Sequence, residues 1–139
     1  PLFACPNGLA RGPDGELYTA NFGNGDVLRI DRDGAVKQLT TLPGGNNGHL
    51  VWHDGALLVA ARGAHRIFRV TPDGEFEPIA GSGERGTTDG PALAATFSFP
   101  NDLAVSPDGR WLYVNENAST TEPATVLAPM NVRRVRLKR

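Results

Sequence analysis

Asn7-Gly8-Leu9-Ala10, followed by Asp14-Gly15 and Leu17-Tyr18-Thr19-Ala20, returns forty residues later as Asn47-Gly48-His49-Leu50, Asp54-Gly55 and Leu57-Leu58-Val59-Ala60. It returns again as Asn101-Asp102-Leu103-Ala104, Asp108-Gly109 and Leu112-Tyr113-Val114-Asn115. In the first two units a second Asp-Gly pair lies nineteen residues beyond the first, at Asp33-Gly34 and Asp73-Gly74. A period of about forty residues with several short strands per unit is the signature of a propeller blade. The runs between the turns are rich in aliphatic, aromatic and β-branched residues, as short strands require. Asp-Gly accepts the positive φ of tight hairpin turns.

Each unit reads as four strands, a to d. Strand a starts at Asn7, Asn47 and Asn101, and strand b at Leu17, Leu57 and Leu112. Strand c covers Val27 to Ile30, Ile67 to Val70 and Val132 to Val135. Strand d covers Val36 to Thr40 and Phe76 to Ala80. The blade units are about 7–45, 46–99 and 100–139, and the last lacks its outer strand. Leu2-Phe3-Ala4 precedes Asn7 as the tail of a strand d would. The expected fold is all-β: a β-propeller segment of about three four-stranded blades, half of a six-bladed ring. Three blades cannot close a ring, since propellers use roughly four to eight. Either two chains assemble as a homodimer of half-rings, or the chain is a fragment of a longer one. The missing initiator Met favours the fragment.

Composition narrows the function classes. The 139 residues are 40% hydrophobic, which supports a globular protein. Seventeen Gly and eleven Pro suit many short strands joined by turns. A formal charge of −1 argues against nucleic acid or an acidic membrane as an obligatory partner. No apolar run approaches the roughly 18 residues of a membrane helix, so a soluble protein is expected. It could be cytoplasmic or exported with its signal removed. Cys5 is the single cysteine, so no intrachain disulfide can form.

The chain direction sorts the loops. The a–b and c–d hairpins fall at one end of each blade, the bottom, and the b–c and d–a connections at the top. Both irregular insertions are at the top. The d–a connection before Asn101 is fourteen residues longer than the one before Asn47, and the third b–c connection, 117–131, is ten longer than the first. Non-minimal loops are where binding usually lives. With few expected core contacts, residues 82–96 and 117–131 should vary most in conformation. Asn7, Asn47, Asn101 and Asp102 stand at the same end, at the channel mouth if strand a is innermost. Arg62 and His65 lie in a top loop, and Glu116 ends a strand b. His49 takes the slot of Leu9 and Leu103, as a partly buried histidine on strand a.

Gly81-Ser82-Gly83, Asp89-Gly90-Pro91-Ala92, Ala95-Thr96-Phe97 and Pro100-Asn101-Asp102-Leu103-Ala104-Val105, with Asp108-Gly109 and Leu112-Tyr113-Val114, resemble an NHL repeat. The earlier units resemble the same repeat and the related gluconolactonase/senescence-marker-protein propellers. The resemblance implies the fold over nearly the whole chain. It also implies a divalent cation (Ca, Mg, Mn or Zn) at the channel mouth, near Asn7, Asn47, Asn101 and Asp102, with Glu116 on a strand b. Hard cations take such oxygen ligands. The family's early Glu ligand has no counterpart here.

The expected function is a binding module that presents its top face to a small molecule, peptide or protein. The alternative is a metal-dependent lactonase-like hydrolase. A third reading, RNA recognition, rests on Arg133, Arg134, Arg136, Lys138 and Arg139. Arg134 falls in the slot of Arg29 and Arg69, so this run reads instead as a solvated strand. Asp31-Arg32-Asp33-Gly34 reads as a hairpin turn, because Leu42 stands where a calcium loop needs its closing acid. No Gly-x-Ser-x-Gly elbow or Walker loop occurs.

Overall fold

The computed structural model describes residues 1–123 and 129–138. Its first sheet is β1 (Pro6–Arg11), β2 (Leu17–Asn21), β3 (Asp26–Ile30) and β4 (Val36–Thr41), in that order. The second repeats it as β5 (Leu50–His53), β6 (Ala56–Ala61), β7 (Arg66–Val70) and β8 (Phe76–Ala80). The third holds β9 (Leu103–Val105), β10 (Trp111–Asn117) and β11 (Met130–Arg136). All pairings within the sheets are antiparallel between neighbours. The inner strands β1, β5 and β9 contact one another in that order.

Turn chemistry explains the meander. His53 pairs with Ala56, which leaves Asp54 and Gly55 as a two-residue hairpin loop with φ of 47° and 77°. Both values are the left-handed ones that a type I′ turn demands.

Alternation along the strands makes two interfaces between blades. Tyr18, Ala20 and Val27 of blade 1 pack on Leu50, Leu57, Val59 and Phe68 of blade 2. Leu58, Ala60 and Ile67, on the other face of blade 2, pack on Leu103, Leu112, Val114 and Val135 of blade 3. β6 is buried at every position because it is covered on both faces. At the first interface the Tyr18 hydroxyl donates to Glu16 Oε1 at 3.0 Å. Burial and this carboxylate push the Tyr18 pKa up to about 12.

Three expectations need correction. Leu2-Phe3-Ala4 is not a strand. The strand c that lacks an outer neighbour among the described residues is β11, and pairing of Leu2-Phe3-Ala4 beside such a strand in another copy or a longer chain lies outside this single chain. The Leu2 and Ala4 carbonyls instead accept from Asn21 Nδ2 at 2.7 Å and Gly23 N–H at 2.9 Å. His49 does not take the Leu9 slot either. Leu9 pairs with Thr19, Leu50 with Val59 and Leu103 with Val114, so Leu50 takes it. The second unit has one more residue ahead of that slot.

The third correction concerns the insertion at 82–96, which is densely bonded. Gly81 and Ser82 N–H donate to Ala92 and Ala95 O, both at 2.8 Å, and Gly86 N–H donates to Phe97 O at 3.0 Å. Of the second insertion, residues 124–128 lie outside the described residues.

Candidate functional site

The residues singled out above fall into three places. The first is the channel end of the inner strands. His49 N–H donates to Asn101 O at 2.7 Å, and Gly48 N–H donates to Ala60 O at 2.7 Å. A Cβ on Gly48 would collide with the Asn101 carbonyl, so only glycine lets β5 approach blade 3 this closely. Gly8, at φ 73°, lies against His49 from the other side, and a Cβ there would sit 3.1 Å from His49 Cα. His49 is therefore held between blades 1 and 3. Its Nδ1 lies 3.3 Å from Asp102 Oδ1, and both side chains are partly exposed, at 37% and 52%. Asp102 is fixed in turn: its N–H donates to Asn115 Oδ1 and its own Oδ1 accepts Leu103 N–H, both at 2.8 Å. Asn7 sits half-buried beside Gly8, at a bulge in β1.

The second place is a clamp on Phe99, two residues before Asn101. His65 Nδ1 accepts the Phe99 N–H at 3.2 Å, and the two rings lie 4.7 Å apart. Arg62 Nη1 donates to Phe99 O at 3.3 Å, and the Arg85 guanidinium lies 4.5 Å over the ring. This clamp sets the path of the chain into Asp102. Burial, then the charges of Arg85 and Arg62, lower the His65 pKa.

The sign of the pH effect follows. Above the ordinary histidine pKa of about 6.5 both folded and unfolded states are neutral. Below it the unfolded chain takes up the proton first, so stability falls with acid until the folded pKa is reached. Urea unfolding between pH 7.5 and 5 should show this loss. His65→Asn, which tolerates the φ of 54°, should reduce it. An equal acid slope in both proteins would contradict the assignment.

The third place is a buried ion pair. Glu116 is fully buried. Its Oε2 accepts Ser98 N–H at 2.8 Å and its Oε1 meets Arg133 Nη1 at 2.7 Å. Arg133 also donates to Thr96 O at 2.9 Å and Thr88 O at 3.1 Å, and reaches Asp89 at 2.8 Å. Arg133 is thus no solvated strand residue; it ties the insertion to β11. Sequence reasoning missed this role. Its signal was the repeat register: Arg133 pairs with Val114 where Leu28 and Phe68 pair with Thr19 and Val59, an arginine in an apolar slot. Arg134 and Arg136 cover the Trp111 ring, at 4.4 and 5.7 Å.

The implied cation does not fit this arrangement. Asn47 is wholly buried, donates its N–H to Asn21 O at 3.3 Å in blade 1, and its Nδ2 bonds Asp26 O at 3.3 Å. Asn47 Oδ1 is buried and has no hydrogen-bond partner. Asp102 is the set's one carboxylate and is engaged by His49 and Leu103. Glu116 is engaged by Arg133. Among the described residues no three His, Cys, Asp or Glu side chains converge as a metal site.

Solved structures with this backbone include an auxiliary nutrient-binding protein from Bacteroides thetaiotaomicron. It is 22% identical over 78% of this chain and 31% of that one, with a TM-score of 0.66. Virginiamycin B lyase from Staphylococcus aureus matches at 18% identity over 94% of this chain and 41% of that one, TM-score 0.62. A gluconolactonase from Xanthomonas campestris matches at 18% identity over 81% and 35%, TM-score 0.60. The chain is part of a β-propeller. Its fold is that of the NHL and gluconolactonase-like propellers. It spans less than half the length of each of these three. No protein-family model matches the chain, and no curated protein matches it. The shared fold carries a binding protein, a lyase and a lactonase, so it does not select among activities.

Proposed function

We propose that this propeller segment is a binding module whose channel-mouth end takes a small polar molecule. The supporting observation is the His49–Asp102 pair, 3.3 Å apart and partly exposed just before the inner strands β5 and β9. It offers a carboxylate acceptor beside a ring nitrogen that can donate or accept. Gly8 packs against His49, where a Cβ would sit 3.1 Å from His49 Cα, and so helps to fix the ring beside Asp102. Glucono-1,5-lactone and simple monosaccharides are the probes to try first, given the gluconolactonase among the structural neighbours. In calorimetric titration, His49→Ala and Asp102→Ala should each weaken binding about tenfold or more, the effect of losing one charge-assisted hydrogen bond. Unchanged affinity in both variants would defeat the proposal.

The donor geometry also sets an expectation for metals. Thermal melts with calcium, magnesium, manganese or zinc should match the ion-free melt. A cation bound at a hundredfold excess over its Kd would instead add about 2.7 kcal/mol and raise the midpoint. Such a rise, lost in Asp102→Ala, would restore the hydrolase reading.

A further inference from the structure

Asn-Gly occurs three times, at Asn7-Gly8, Asn24-Gly25 and Asn47-Gly48. Asparagine is a thermolabile residue. It is most so before glycine, where no Cβ shields the next backbone nitrogen from the side-chain amide. The fold treats the three pairs differently. Asn47 is wholly buried, and the Gly48 N–H is committed to Ala60 O at 2.7 Å. Asn7-Gly8 lies inside β1, half-buried, with Gly8 packed on His49. Asn24 is exposed, in the turn between β2 and β3. Among the described residues the Gly25 N–H donates to no backbone carbonyl. Asn24 Oδ1 accepts the Asp26 N–H at 3.1 Å, which folds the side chain forward along its own backbone.

This exposure belongs to the turn itself and not to a missing neighbour. Gly63 is the counterpart of Gly23 one blade later, and it meets the incoming d–a connection at Gly44, whose carbonyl a Cβ on Gly63 would strike. In blade 1 the incoming segment is present in the same way: a Cβ on Gly23 would lie 2.9 Å from Ala4 O. With that segment in place Asn24 still faces solvent. Ala64 stands in its slot in blade 2, where there is no amide to react.

We infer that Asn24 is a self-modification site, at which the Gly25 nitrogen displaces the side-chain amide. The nitrogen attacks Asn24 Cγ, the bond from Cγ to Nδ2 breaks, and ammonia leaves with the Gly25 proton. Water then opens either carbonyl of the resulting succinimide, giving aspartate or isoaspartate at position 24. No oxidant or reductant takes part, and solvent supplies the water. The fold tolerates the two products differently. Aspartate keeps an oxygen to accept the Asp26 N–H, so the turn stays. Isoaspartate adds a carbon to the main chain ahead of Gly25. Gly25 has little room: its φ is 79°, its carbonyl accepts Leu42 N–H at 2.9 Å, and a Cβ on it would lie 2.8 Å from Leu42 O. Leu42 is 2% exposed and belongs to the core between blades 1 and 2. Isoaspartate therefore pushes on that core, whereas aspartate adds only a charge at the rim. The inference rests on this turn and holds whether or not the channel mouth binds a ligand.

Peptide mapping by mass spectrometry on the intact 139-residue chain, incubated in mildly alkaline buffer, tests it. Asn24 should lose its amide at least about tenfold faster than Asn47, because Gly48 N–H must first break its bond to Ala60 O. In concentrated urea the two rates should converge, since the unfolded chain presents both pairs alike. Asn24→Gln should fold and stay unmodified at position 24. Asn24→Asp should match the fresh protein in urea midpoint, whereas the isoaspartate fraction separated from aged protein should unfold at lower urea. Equal rates at Asn24 and Asn47 in the folded protein overturn the inference, as does an Asn24 that stays unmodified. A preference for Asn24 that survives in urea also overturns it, because local sequence and not the fold would then set the rate. An isoaspartate fraction as stable as the fresh protein overturns the coupling to Leu42.

Discussion

Replacing Arg133 by alanine lowers the unfolding free energy by about 3–5 kcal/mol, the cost of stranding a buried charge whose partner is removed. Glu116 is fully buried and its nearest cation, at 2.7 Å, is lost. The Thr88 and Thr96 carbonyls lose a donor in the same step, so the insertion before Asn101 loosens as well. Asp89→Ala is the control. That carboxylate is exposed, and a surface pair of this kind contributes at most about 1 kcal/mol. The double variant Arg133→Met/Glu116→Gln should recover part of the loss, because no uncompensated charge remains. Urea midpoints at constant slope read all three. A loss below about 1 kcal/mol in Arg133→Ala would mean that water already reaches Glu116.

Leu57→Ala should cost about 2–5 kcal/mol, the range for a buried leucine that leaves a cavity. Leu57 has no exposed surface and packs in the core between blades 1 and 2. Leu17 is the same residue in the same slot one blade earlier, exposed on the open face. In the single chain Leu17→Ala should stay within about 0.5 kcal/mol, as surface changes do. Equal, small effects at both leucines would contradict the two-interface core.

The blades were legible because the repeat is written in local chemistry. Asp-Gly marks the turns, and aliphatic runs such as Leu57-Leu58-Val59-Ala60 mark strands covered on both faces. The third sheet has three strands among the described residues, and each of them falls on a run that the repeat marks at Leu103, Leu112 and Val132. The site was legible only in part. His49 was misplaced by one position, since an extra residue in the second unit shifts the register without altering its composition. The His49–Asp102 contact joins two blades and has no local signature. Glu116 was noticed as a strand-end carboxylate, but its partner is seventeen residues away in a segment whose charges look solvated. The Phe99 clamp depends on three side chains from two loops, which only the fold brings together.

Mapping ligand-induced shifts in the amide NMR spectrum, with glucono-1,5-lactone and monosaccharides added in turn, tests the functional account most directly. The account predicts that the largest shifts cluster at Gly8, Gly48, His49, Asn101 and Asp102, at the ends of β1, β5 and β9, and fade toward the bottom hairpins at Asp14-Gly15 and Asp54-Gly55. Shifts centred instead on the groove beside β11, around Trp111 and Arg134, or a spectrum that no probe perturbs, would contradict it.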